Sequence, residues 1–197
     1  MLVSVTRAAY TVDGWGEGEL WFEGTRLVWH ELPQPRPPAP RPDQTRRARA
    51  HPHPVRGRGS TTRLPLRSTL AADRVRAGDG TAPIAQRLLH RLSRYFAGDR
   101  VTFDDVELDL EGLTPFQRAV AAALRRVPYG MVVSYAELAR DAGYANAQRA
   151  AGSFCAHNRY PLVLPCHRVV AAVGIGSYGS LGIQYKRRLL ELEGVDL

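Results

Sequence analysis

The chain has 197 residues, 44% of them hydrophobic and 23% charged, enough for one or two domains around a buried core and ordinary for a globular protein. No apolar run approaches the ~20 residues that span a bilayer, and MLVSVTRAAYTVDG lacks the apolar stretch and cleavage site of a secretory leader, so a cytoplasmic location is expected. The net charge is +8, but nine arginines from Arg36 to Arg67 face only Asp43 and account for all of it, whereas six arginines against Glu137 and Asp141 make residues 114–160 locally basic.

In chain order, VSVTRAAYTV and ELWFEGTRLVWHEL are β-branched and aromatic runs broken by Asp13-Gly14, Gly16, Gly18 and Glu23-Gly24. They predict two or three antiparallel strands within residues 1–32. Eight prolines then fall between Leu32 and Pro54 among scattered arginines. Proline removes backbone donors and this segment has little to bury, so residues 33–68 read as an exposed, solvated insertion. It carries no interleaved aromatics on which bases could stack.

Ile84, Leu88, Leu89, Leu92 and Phe96 recur at helical spacing after Pro83 and before Gly98, predicting an amphipathic helix over residues 83–97. His90 falls off that stripe and reads as a surface residue. The alternation in VTFDDVELDLEG predicts a short strand, and a second domain is expected to begin near Leu113.

Thr114 and Pro115 have the character of an N-cap and first helical residue for FQRAVAAALRRV. Ser134 can cap YAELARDAG, which stops at Gly143, and NAQRAAGSFCAHN forms a further helix. Two short helices around a glycine-containing turn are what a helix-turn-helix requires, although many such pairs bind nothing.

Only two cysteines occur, Cys155 and Cys166, too few for a metal framework, and none precedes Cys155. Cys166 is followed by His167 and Arg168. A thiol becomes a strong nucleophile as thiolate, which nearby positive charge or an adjacent base promotes. An isolated Cys-His pair is more often a buried inert thiol beside a core histidine than a nucleophile and its base. Cys155, on a helix with no adjacent base, reads as such a thiol.

The string PCHRVV, preceded by Asn158 and Pro161 and followed by KRRLLELEG, resembles the O6-alkylguanine-DNA alkyltransferases, the methylated-DNA–protein-cysteine methyltransferase family. TPFQRAV, VPYG, SYAELA and QRAAG extend the resemblance from about Leu113 to Gly194. It implies an α/β N-terminal domain (residues 1–112) resembling the ribonuclease H-like fold. Residues 113–197 would form a mostly α domain carrying a helix-turn-helix, winged-helix-like, and an acceptor-cysteine loop. The implied function is direct DNA repair in single-turnover stoichiometry: the alkyl group of O6-alkylguanine moves irreversibly to Cys166, with O4-alkylthymine a second candidate substrate. No cofactor or metal is implied, and the expected partner of the monomer is double-stranded DNA.

By the same resemblance, His167 would take the thiol proton through a water and Glu193 would orient His167. Tyr135 would rotate the target nucleotide out of the stack and protonate the departing guanine. Arg149 would fill the vacated space, with Ser134, Gln148 and Ala150 also on the DNA. Asn158 would shape the turn before the acceptor, and Pro161, the Val169 carbonyl, Tyr178 and Ser180 would line the guanine pocket. Base extraction is needed because the alkylated oxygen lies inside the duplex. The alternative reading is a non-catalytic lesion-recognising or regulatory DNA-binding protein. A cysteine hydrolase built on Cys166 and His167 is a further rival, for which no oxyanion-hole motif is present.

Overall fold

The structure is a computed structural model that describes residues 5–35, 75–77 and 83–197. Three strands, β1 (Val5–Val12), β2 (Gly16–Glu23) and β3 (Arg26–Gln34), form an antiparallel meander. A short β4 (Val75–Ala77) pairs antiparallel with β1, giving the order β3-β2-β1-β4. The tight entry into β2 depends on Gly16: at φ 111°, a Cβ there would lie 1.9 Å from the Gln34 carbonyl oxygen. Alternation places Ala8, Tyr10, Val12, Leu20, Phe22, Leu27 and Leu32 on one buried face. Helix α1 (Pro83–Phe96) covers it with Leu88, Leu89, Leu92, Tyr95 and Phe96.

Two expectations are corrected here. Strand β3 continues through Pro33 to Gln34, with Leu32 and Pro33 buried, so the exposed segment starts later than Leu32. Proline is tolerated because β3 is the sheet edge, where its missing N–H breaks no ladder. Residues 101–112 form no strand, only one parallel bridge between Leu27 and Leu108. Asp104 and Asp105 turn the chain there, and Val101, Phe103 and Val106 are buried as loop residues. The rest of the proline- and arginine-rich insertion, residues 36–68, lies outside the described residues.

In the C-terminal half, α2 (Pro115–Arg125) and α3 (Tyr135–Asp141) open with capping boxes. Thr114 and Gln117 cap the first, Ser134 and Glu137 the second. Helix α4 (Gln148–Ala156) packs on α3 but has no side-chain cap, because Asn146 has positive φ and Ala147 stands at the cap position. Strands β5 (Val133–Ser134) and β6 (Val169–Val170) pair in parallel. This brings the start of α3 beside the segment after Cys166, which itself opens a 3-10 turn (Cys166–Arg168). A second 3-10 turn (Gly179–Leu181) leads into α5 (Gly182–Leu192).

The halves are joined by direct contacts. His30 donates its backbone N–H to the Arg159 carbonyl at 2.9 Å. Tyr185 donates to the Pro33 carbonyl at 2.8 Å, and the Arg188 guanidinium lies over the Trp15 ring. No helix among the described residues is long and apolar enough to cross a membrane.

Candidate active site

Cys166 is buried at the start of its 3-10 turn. The Asn158 side chain donates to the cysteine sulfur at 3.1 Å and to the Leu164 carbonyl at 2.7 Å, while its Oδ1 accepts from the Tyr160 backbone at 3.0 Å. One amide side chain thus ties the turn together and touches the sulfur. Burial raises the thiol pKa, opposed by Asn158, Tyr178 and the Lys186 ammonium. The buried Tyr178 hydroxyl approaches the sulfur without reaching ordinary hydrogen-bond geometry.

His167 is fully buried, with Nε2 2.7 Å from Glu193 Oε1. Its Nδ1 is buried with no hydrogen-bond partner among the described residues. Burial lowers the imidazole pKa, Glu193 pulls it back up, and Arg168 and Lys186 press it down again. Burial thus works in favour of the neutral imidazole.

Glu193 collects several donors. Oε1 accepts from Tyr95 at 2.7 Å and from the Arg168 Nη2 at 3.0 Å, and Oε2 accepts from the Arg168 Nε at 2.9 Å and the Gly130 N–H at 3.1 Å. Burial opposes its charge, yet the hydrogen bonds and charges of His167 and Arg168 hold it well below the usual carboxylate range. Arg168 also donates to the Val127 carbonyl at 2.7 Å. It is therefore the counter-ion of Glu193, and the cation near the thiol is Lys186 instead.

That lysine went unnoticed in the sequence. Lys186 shares the inner face of α5 with Leu189 and Leu190 and is fully buried. Its ammonium donates to the Val169 carbonyl and, at 3.4 Å, to the Ser177 carbonyl. Burial lowers its pKa to about 8, with Cys166 and Cys155 opposing. Tyr95, another missed residue, comes from α1, where the apolar spacing had pointed only to Ile84, Leu88, Leu89, Leu92 and Phe96. His30, also missed, is buried with Nδ1 2.7 Å from the Pro161 carbonyl oxygen and Nε2 2.7 Å from the Tyr10 hydroxyl.

A cleft of about 130 Å³ gathers Asn158, Pro161, Cys166, Tyr178 and Ser180, together with Cys155. Tyr135 lines an adjoining recess of about 10 Å³ with Cys155, Cys166 and Tyr178. Val169 is not part of either lining, and its carbonyl is engaged by Lys186. Arg149, Gln148 and Ala150 are exposed on the first turn of α4, and Ser134 is half-buried at the α3 cap. Cys155 is half-buried, and burial pushes its thiol far up. His90 is exposed on α1. A larger cavity of about 770 Å³ lies behind the acceptor segment, against Arg100, Phe103, Arg125, Tyr129 and Leu162, and does not include Cys166.

Residues 115–195 match the family described as 6-O-methylguanine DNA methyltransferase, DNA binding domain. The methylated-DNA–protein-cysteine methyltransferase of Methanopyrus kandleri is 43% identical over 122 residues, which cover 59% of this chain and 90% of that protein. The chain belongs to the methylated-DNA–protein-cysteine methyltransferase family. The Mycobacterium bovis methyltransferase of that name is 49% identical over 104 residues, 52% of this chain and 61% of its own length. The crystal structure of Mycobacterium tuberculosis OGT in complex with DNA superposes with a TM-score of 0.60 at 34% identity, covering 93% of this chain and 91% of that one. The methyltransferase fold therefore extends over both halves, well beyond the stretch that carries the sequence motifs.

Proposed function

We propose that this methyltransferase repairs O6-alkylguanine in double-stranded DNA by moving the alkyl group onto Cys166. The observation that carries the reading is the group formed by the buried Cys166, His167 and Glu193 with the half-buried Asn158. It provides a sulfur with a polarising donor and an imidazole backed by a carboxylate. The sulfur attacks the alkyl carbon in line, a carbon–sulfur bond forms as the bond to O6 breaks, and the electron pair leaves with the guanine. The thiol proton passes through a water to His167 Nδ1, and Tyr135 supplies a proton to the departing base. The resulting thioether has no route back to thiol, so each chain reacts once.

In this reading α3 and α4 are the helix-turn-helix of a winged-helix-like C-terminal domain beginning near Leu113, and the N-terminal domain is ribonuclease H-like. Arg149 stands in for the extruded nucleotide, with Gln148, Ala150 and Ser134 on the adjacent DNA. Pro161, Tyr178 and Ser180 border the guanine, while the Val169 carbonyl, held by Lys186, lies outside the cleft lining and supports the site indirectly. The protein acts as a monomer in the cytoplasm, on DNA, without a cofactor.

The test is intact and peptide mass analysis after incubation with a duplex carrying one O6-methylguanine. A single methyl group on the Cys166 peptide is expected, and Cys166→Ser should abolish it while retaining DNA binding. More than one transfer per chain, or methylation of Cys155 in its place, overturns the reading.

A further inference from the structure

We propose that Tyr95 is a positioning residue of the acceptor site: its hydroxyl, donated to Glu193 Oε1 at 2.7 Å, keeps that carboxylate on His167 Nε2 and leaves Nδ1 as the base. The inference rests on the alkyl-transfer reading and adds to it a group from α1, outside the matched residues 115–195.

The hydrogen-bond directions follow from valence. A phenol has one proton, and the ionised carboxylate, 2.7 Å away, takes it in preference to His167 Nε2 at 3.3 Å. The same carboxylate oxygen lies 2.7 Å from Nε2 and can only accept, so Nε2 carries the ring proton. The lone pair is therefore on Nδ1, which has no partner among the described residues. The Tyr95 ring is fully buried and is fixed edge-on against Phe96, Tyr129 and His167 at centroid separations of 5.4, 6.2 and 6.4 Å. Its hydroxyl is thus delivered by a rigid element.

The titratable groups facing the His167–Glu193 pair are Tyr95 from α1, Tyr129 from the turn after α2, Arg168 beside His167, and Lys186 from α5. Of these, Tyr95 can be changed by one atom without altering formal charge. Tyr95→Phe removes a donor from Glu193 and makes the carboxylate more basic. His167 then holds a proton to higher pH, and less of it is available as base at neutral pH. Replacement of Tyr95 by 3-fluorotyrosine, a stronger donor of nearly the same shape, has the opposite sign.

The experiment measures single-turnover methyl transfer at saturating O6-methylguanine duplex across pH, with duplex affinity read separately. Carboxamidomethylation of Cys166 by iodoacetamide across the same pH range needs no DNA. Tyr95→Phe is expected to slow transfer roughly tenfold at neutral pH, the scale of one hydrogen bond to a charged group. It should move the midpoint of both profiles upward and leave duplex affinity unchanged. The fluorotyrosine protein should move both midpoints downward, and in a Glu193→Gln background the Tyr95→Phe effect should shrink to about twofold or less. Equal midpoints in all three proteins, or an undiminished effect without Glu193, overturn the proposal. Shifted iodoacetamide midpoints without methyl transfer in any protein overturn the repair reading and leave Tyr95 in its positioning role.

Discussion

The Asn158 side-chain nitrogen lies 3.1 Å from the Cys166 sulfur, so the acceptor is approached by a hydrogen-bond donor inside a site whose burial works against the thiolate. A thiolate accepts more strongly than a thiol, and Asn158 therefore favours the reactive form. Asn158→Ala should raise the pH midpoint for Cys166 alkylation by iodoacetamide and slow methyl transfer roughly tenfold. An unmoved midpoint would limit Asn158 to shaping the turn.

Lys186 gives a prediction with a defined pH window. Its folded pKa of about 8 lies below the ordinary value of 10.5. Below pH 8 both folded and unfolded chains hold the proton and the folded state bears the full penalty of a buried ammonium. Between 8 and 10.5 the unfolded chain binds more protons, so this residue's contribution to stability rises with pH. The stability difference between Lys186→Met and the parent should accordingly shift in the parent's favour across that window. Urea midpoints of both proteins at pH 7 and pH 10 check it, and a pH-independent difference would contradict the buried cation.

The family resemblance implied that Glu193 orients His167; in the structure it is also the counter-ion of the buried Arg168. Glu193→Gln should therefore slow transfer and also destabilise the fold by about 3–5 kcal/mol, the range for an uncompensated buried charge. The carboxylate's pKa is depressed on folding, so its contribution is complete above 4.5 and is lost as pH falls below that value. Denaturant titrations should show the two proteins far apart at pH 7 and converging towards pH 3.

Arg149 is exposed on the first turn of α4. If its guanidinium fills the space of an extruded nucleotide, Arg149→Ala should lower the repair rate markedly with little change in the salt dependence of binding. Phosphate contacts would instead register in that salt slope. A reduced slope at an unchanged rate would assign Arg149 to the backbone.

Local signals were legible. Thr114 and Ser134 cap as their sequences indicate, because a capping box is closed within four residues. Asn158 lies against the Cys166 sulfur and Glu193 against His167, all four being residues that the family resemblance had named. What stayed hidden were polar residues on core-facing surfaces. Tyr95, Lys186 and His30 sit where apolar periodicity alone reads packing, and their partners lie on other elements. The alternation in residues 101–112 misled because Asp104 and Asp105 turn the chain, breaking the period after Phe103 and leaving only the Leu27–Leu108 bridge to β3.

The hydrogen bonds that complete the acceptor site join residues far apart in sequence. Tyr95 meets Glu193 across 98 positions and His30 meets Pro161 across 131. Loops of that size close late in folding, after local helices and the β1–β2 and β2–β3 hairpins have formed. During refolding, helical signal should therefore recover before Cys166 regains its native reactivity, because the nucleophile's environment is a property of the whole chain's closure. A thiol probe mixed in at successive delays would time that closure directly.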